Sequence, residues 1–264
     1  MASVAPACTV KWMSLRIVSS PVASETRLHR CVTSMADLKL EGSVMRFDGL
    51  SGLPQPKLQQ WLRALLLLMC ALFASSAYSA SKTMLVLGDS LSAEYGLARG
   101  KGWVNLLQER LRAEKIDATV VNASISGDTT SGGATRLPAL LKKHRPDILV
   151  IELGGNDGLR GLSLAATEAN LRTMIKAGQA ANARVLLLGM RLPPNYGAAY
   201  AESFHALYAK LAKENKTALV PFFLEGIATR EDLFQADRIH PNAGAHPVML
   251  NNVWPALKPL LQKK

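Results

Sequence analysis

From residue 81 onward the chain alternates two kinds of pattern. Short uninterrupted apolar runs rich in Val, Ile and Leu recur at 84–87, 119–121, 148–153, 185–190 and 219–223. A strand with one wet face would alternate apolar and polar residues, so continuous runs predict strands covered on both faces. Between the runs, apolar residues fall at helical spacing: Trp103, Leu106, Leu107 and Leu111; Leu137, Leu140 and Leu141; Leu171, Met174 and Ile175; Phe204, Leu207, Tyr208 and Leu211. A last helix is predicted to carry Val248, Leu250, Val253, Trp254 and Leu257. Five strands alternating with five helices predict one three-layer α/β domain over residues 81–264, with a mainly parallel five-stranded sheet. In such sheets ligands bind beyond the carboxyl ends of the strands. The polar residues that follow each apolar run are therefore the ones to read for chemistry.

The first part of the chain reads differently. Residues 1–60 show no sustained period of 2 or 3.6, and Pro21, Pro54 and Pro56 interrupt what pattern exists, so an unstructured extension is expected there. Trp61-Leu62-Arg63 then leads into an uncharged run at 64–74 and a small-residue stretch at 75–80, the three parts of a secretory signal peptide at 61–80. Its apolar core spans 11 residues. A bilayer-spanning helix needs roughly 20, which favours a cleaved signal. Cleavage is expected after Ala77, Ser79 or Ala80. Because signals begin within about 15 to 30 residues of the initiator, Met45 is expected as the true start, with the first 44 residues upstream of it.

Composition sharpens this in two respects. Cys8, Cys31 and Cys70 all precede residue 80, so the exported protein is expected to have neither a disulfide nor a thiol nucleophile. The net charge of +11 leaves 23 basic against 16 acidic residues from position 81 onward, but the basic residues stand singly, without the aromatic-interleaved stripe of a nucleic-acid binder. No nucleic-acid partner and no membrane span after signal cleavage are expected. The predicted protein is a periplasmic or secreted monomer.

Candidate chemistry sits at the strand ends. Gly88-Asp89-Ser90-Leu91-Ser92 follows the first apolar run, presenting Ser90 where a buried strand surfaces and leads toward the first helix. A helix cap is the ordinary use of such a serine. Asp237 and His240 stand three residues apart in one short segment, close enough for the carboxylate to accept the imidazole N–H and fix its tautomer. His246 lacks an acid three residues before it and reads as a surface histidine; His144 and His205 lie in helical segments and read as structural. Acyl transfer also needs donors for a developing oxyanion. Gly127, after the second run, can bring a backbone N–H close to a ligand, and Asn156, after the third, offers a side-chain amide on a glycine-flanked turn. The G-x-S-x-G elbow is not met, since Ser92 stands two places after Ser90. Neither dinucleotide nor P-loop glycine patterns occur, and no C-x-x-C, H-E-x-x-H or acidic calcium loop is present. Metal-free, cofactor-free chemistry is expected.

Taken together, these four segments resemble the GDSL or SGNH hydrolase family, in whose four blocks Ser90, Gly127, Asn156 and His240 match the name-giving residues. The shared stretches include Leu87-Gly88-Asp89-Ser90-Leu91-Ser92-Ala93, Val121-Asn122-Ala123-Ser124-Ile125-Ser126-Gly127-Asp128-Thr129 and Glu152-Leu153-Gly154-Gly155-Asn156-Asp157-Gly158, and the likeness runs from about residue 83 to 260. The resemblance implies a flavodoxin-like sheet and a serine ester hydrolase of the arylesterase, thioesterase and lysophospholipase type. Ser90 would be nucleophile, His240 base and then acid, and Asp237 its orienter; Gly127 N–H, the Asn156 amide and Ser90 N–H would form the oxyanion hole. Arg191-Leu192-Pro193-Pro194-Asn195-Tyr196-Gly197 resembles the family's loop over the acyl site, which would place Leu192 and Pro193 near a fatty chain. One departure is Glu94, where relatives carry a small residue; a carboxylate there would bear on the protonation of His240 or on substrate access. Two alternatives stand beside this reading. One is a carbohydrate O-acetylesterase with the same triad, and the other a non-catalytic lipid-binding envelope protein that keeps the fold.

Overall fold

The computed structural model describes residues 81–262. The expected N-terminal extension, Met45, the signal peptide and the three cysteines lie outside the described residues. Five parallel strands, β1 (Lys82–Gly88), β2 (Ala118–Asn122), β3 (Ile148–Glu152), β4 (Arg184–Leu188) and β5 (Ala218–Val220), form one sheet in the order β2-β1-β3-β4-β5. Helices α1 (Trp103–Ala113) and α6 (His246–Gln262) pack on each other against one face of the sheet. On the other face lie α2 (Thr130–His144), α4 (Leu164–Ala180) and α5 (Ala198–Asn215), α4 touching both of its neighbours. This is the three-layer α/β arrangement that the alternating pattern predicts, with the flavodoxin-like sheet that the resemblance implies.

Burial follows strand position. Met84 to Leu87 in β1 and Ile148 to Ile151 in β3 are fully buried, because both strands are central and covered by helices above and below. The edge strands β2 and β5 are only partly buried despite similar apolar runs, so continuous burial on both faces holds for the sheet's centre and not its margins. Each fully buried Leu or Ile contributes roughly 1.5–3 kcal/mol of transfer free energy. The β1–β3 pair is accordingly the rigid spine of the domain.

That pair is also where the chain changes direction of winding: β2 lies to one side of β1, and β3, β4 and β5 follow on the other. Loops leaving β1 and β3 must diverge to opposite faces, opening a crevice at their carboxyl ends. Register sets Gly88 opposite Glu152 at the lip of this crevice. Helix α2 comes close beneath it, because a side chain at Gly133 would fall 2.3 Å from Leu153 Cδ1. One element was missed in the sequence pattern. The Gly154-to-Gly158 stretch, expected as a turn, contains the one-turn helix α3 (Gly155–Leu159), entered through Gly154 at φ +113°.

Candidate active site

Ser90 does not sit at the start of the first long helix. It opens an isolated turn, in which Ala93 N–H donates to the Asp89 carbonyl (2.9 Å) and Tyr95 N–H to the Ser90 carbonyl (3.3 Å), while α1 begins only at Trp103. Ser90 therefore does not cap the first long helix, the ordinary use of a serine at such a place. A cluster of side chains braces the turn from below: Glu152, fully buried, accepts from Asp89 N–H (3.2 Å) and from Ser92 Oγ–H (2.7 Å), and Trp103 Nε1–H donates to Ser92 Oγ (3.1 Å). Asp89 in turn accepts from Leu91 N–H through Oδ1 (3.0 Å). Gly88 has no room for a side chain, since a Cβ there would lie within 3 Å of Glu152 Oε2, Ser92 Oγ and Ser124 Oγ.

The acid and the imidazole arrive on the segment between β5 and α6. Residues 234 and 241 form an isolated antiparallel bridge, and Gln235 N–H donates to the His240 carbonyl (2.8 Å), closing a tight loop. Arg238 takes a left-handed conformation (φ 57°), rare for a non-glycine residue. In the loop so formed, Asp237 Oδ1 accepts from the N–H groups of Ile239 (2.9 Å) and His240 (3.0 Å), and Oδ2 meets His240 Nδ1 at 2.6 Å. These backbone and imidazole donors hold the Asp237 carboxyl down to about 2, so it is ionised throughout the neutral range. His240 Nε2 lies 3.0 Å from Ser90 Oγ. With Nδ1–H given to Asp237, Nε2 is the acceptor for the serine proton. Three residues expected to work together are thus brought into one hydrogen-bonded line.

The expected oxyanion donors stand on the loops after β2 and β3, both of which are tied to the end of β1. Ile125 N–H donates to the Gly88 carbonyl (3.0 Å), folding the loop after β2 over the end of β1, and Gly127 lies at its exposed tip with φ +78°. Arg136 fastens this loop: Nε meets Asp128 Oδ2 (2.8 Å), Nη1 donates to the Ala123 carbonyl and Nη2 to the Gly88 carbonyl (3.3 Å). The Asn156 amide donates to the Asp128 carbonyl (2.9 Å) and to Asp89 Oδ2 (3.0 Å), bridging the loops after β1, β2 and β3. Among the described residues, Ser90 N–H and Gly127 N–H donate to no protein group. Two backbone donors thus remain unused, and the Asn156 amide links the serine turn to the loop that carries Gly127.

Sequence comparison identifies the family. Residues 86–247 match the GDSL-like lipase/acylhydrolase family. The chain belongs to this family. Similar proteins include the esterase TesA of Pseudomonas aeruginosa, 55% identical over 76% of this chain and 100% of its own length. The thioesterase 1/protease 1/lysophospholipase L1 of Escherichia coli is 45% identical, over 76% of this chain and 94% of its length. Among solved structures, the psychrotrophic esterase EstA from Pseudoalteromonas sp., inhibited by monoethylphosphonate, superposes with a TM-score of 0.66 at 42% identity, covering 69% of this chain and 100% of that one.

Within this GDSL chain several expectations are corrected. Glu94 does not address His240. Its carboxylate accepts from the N–H groups of Gly102 (2.5 Å) and Gly100 (3.2 Å) and from the Asn105 amide (2.7 Å), supporting the start of α1. The side chain that does lie on the imidazole is the neighbouring Tyr95, ring centroids 4.3 Å apart. His246 is not a surface residue: it is buried at the start of α6, where Nδ1 accepts from Trp103 N–H (2.9 Å), and burial lowers its pKa. Leu192 is buried against Gly158 and Phe204, while Pro193 is exposed. Sequence reasoning missed Glu152, Tyr95, Gln235 and Arg136. For Glu152 a signal existed, since a carboxyl inside an apolar run read as doubly covered has no ordinary place there. For Gln235, whose Nε2 donates to the Tyr95 and Pro241 carbonyls (2.8 and 3.1 Å), none did, because the contact spans 140 residues of sequence.

Proposed function

We propose that this serine ester hydrolase cleaves acyl esters and thioesters through an acyl-enzyme on Ser90. The observation that carries the assignment is the line Ser90 Oγ, His240 Nε2, His240 Nδ1, Asp237 Oδ2, with contacts of 3.0 and 2.6 Å. As Ser90 Oγ attacks the acyl carbon, Nε2 takes its proton, and the ionised Asp237 stabilises the imidazolium formed. Ser90 N–H, Gly127 N–H and the Asn156 amide stabilise the oxyanion, the amide sharing a proton now given to Asp128 or Asp89. Collapse expels the alcohol or thiol with the proton from His240. A water then enters and attacks the acyl carbon, giving its proton to Nε2; the acyl–Oγ bond breaks as Nε2 passes that proton to Ser90 Oγ, and the acid is released.

Leu192 reaches an acyl chain only when the 191–197 segment lifts from Gly158; Pro193 is already open to solvent. The sequence pattern at 61–80, read as an export signal, supports action in the periplasm or outside the cell, and no described helix is long and apolar enough to cross a membrane. Hydrolysis of p-nitrophenyl esters by the purified protein tests the activity, and a chain-length series from acetyl to longer acyl groups tests the substrate class. Preference for acetyl over octanoyl esters would point to the O-acetylesterase alternative. Inertness to every ester and to phosphonates would point to a non-catalytic protein.

A further inference from the structure

Directly beneath Ser90 lies a carboxyl group that the proposed mechanism leaves unused. Glu152 is fully buried at the end of β3. Its Oε2 takes two hydrogen bonds, and its Oε1 has no partner. Its acidic neighbour is Asp89, also buried. The other ionisable groups around the pair are already committed. Tyr208 of α5 donates its hydroxyl to the Leu153 carbonyl (3.1 Å), and Asp157 of α3 accepts from Thr130. Arg136 of α2 is taken up by Asp128 and two carbonyls, and the His240 imidazole, near enough to pull the Asp89 carboxyl down, is bonded to Asp237 and Ser90. No cation is paired with Glu152 among the described residues. Two carboxylates without a counter-ion cannot both stay charged out of water.

We propose that Glu152 is a positioning residue that acts as a neutral acid, retaining its proton at neutral pH and fixing both the Ser90 turn and the oxyanion amide. Its Oε2 holds Asp89 N–H and the Ser92 hydroxyl, on either side of Ser90, and the retained proton leaves Asp89 alone to carry charge in the pair. Asp89, so fixed, orients the Asn156 amide. Burial first, and the charge of Asp89 second, push the Glu152 carboxyl well above its ordinary range, in agreement with the geometry. Deprotonation would place a second negative charge under the nucleophile and repel the developing oxyanion. The kinetic consequences rest on the Ser90 assignment, whereas the protonation state does not.

The test begins with infrared spectroscopy of the full chain at pH 8, where ordinary carboxyls are ionised. A carboxylic-acid carbonyl band present in the wild type and absent in Glu152→Gln is expected; a wild type without that band overturns the neutral acid. In ester hydrolysis, Glu152→Gln, which keeps shape, neutrality and a donor, is expected to hold kcat within about threefold of wild type, while Glu152→Ala lowers kcat about 10- to 100-fold with KM little changed. Wild-type kcat in Glu152→Ala, or an equal loss in Glu152→Gln, overturns the role. If Glu152→Ala does not fold, Ser92→Ala carries the same arm, with a several-fold loss of kcat expected and no loss counting against it. A wild type inert toward all esters would sink the hydrolase reading and leave the infrared result standing.

Discussion

The two halves of the proposed triad are built on opposite principles. Ser90 stands on the best-buried part of the molecule, with fully buried strands below it and a network of Glu152, Ser92, Trp103 and Asp89 fixing its turn. Asp237 and His240 ride on an outer loop, their side chains 37% and 19% exposed, held by a backbone bridge, an aspartate–backbone turn and the Gln235 amide. Position comes from the core for the nucleophile and from local hydrogen bonds for the base. Changes to the loop should therefore act on rate with little effect on stability, whereas changes beneath Ser90 should act on both.

The largest separation is expected at the meeting point. Ser90→Ala removes a half-buried hydroxyl that the fold does not use, so kcat for ester hydrolysis should fall about 10⁴-fold or more with the thermal midpoint nearly unchanged. A variant that keeps wild-type turnover would refute the nucleophile. Asp237→Asn comes next. The amide can still accept from the two backbone N–H groups, but it cannot stabilise an imidazolium and it permits the wrong tautomer. A loss of about 10³-fold in kcat is expected. A concurrent drop of many degrees in melting temperature would show that the loop is structurally coupled to the core after all.

Gln235→Ala addresses the loop's attachment. Its Nε2 bridges the Tyr95 carbonyl of the serine turn and the Pro241 carbonyl of the histidine loop, so its removal frees one half of the triad to drift against the other. Sub-ångström misplacement of a base is costly, and a loss of about tenfold in kcat/KM is expected, with a melting shift of no more than about 3 °C. An unchanged rate would mean that Tyr95, whose ring lies tilted against His240, suffices to hold the imidazole.

The same contrast explains what could be read from sequence. Central strands announce themselves because burial on both faces forces unbroken runs such as Met84 to Leu87, and local devices such as Asp237 with His240 are visible as short spacing. The pairing of those two with Ser90 rested on motif resemblance, since 150 residues separate the members that meet. What stayed hidden was long-range polar bracing. Glu94 and His246 were assigned by neighbourhood in sequence, and the fold turned Glu94 toward α1 and buried His246 against Trp103. Hydrophobic period fixes which residues go inside, but not which polar group a buried polar group will meet.

The smallest expected effect concerns Asp89, where core and site are hardest to separate. Burial raises its carboxyl to about 6, against hydrogen bonds from Leu91 and Asn156 and the nearby His240, all of which pull it down. A folded-state pKa above the unfolded value of 3.8 means that the folded protein binds the proton more tightly. The contribution is therefore fully present below about pH 4 and is lost as pH rises through about 6, opposite in sign to that of Asp237, whose lowered pKa favours folding above pH 4. Asp89→Asn removes the titration while keeping an acceptor for Leu91 N–H. Melting temperature measured from pH 4 to pH 7 should improve for the variant relative to wild type by a few degrees across that window. A constant difference between the two would show that Asp89 does not take up a proton on folding. The rate should change little above pH 6, because a charged Asp89 serves only to steady the Asn156 amide, which the Asp128 carbonyl also holds. A large rate loss in Asp89→Asn at pH 7 would instead make that charge part of the reaction and break the division between a bracing core and a reactive loop.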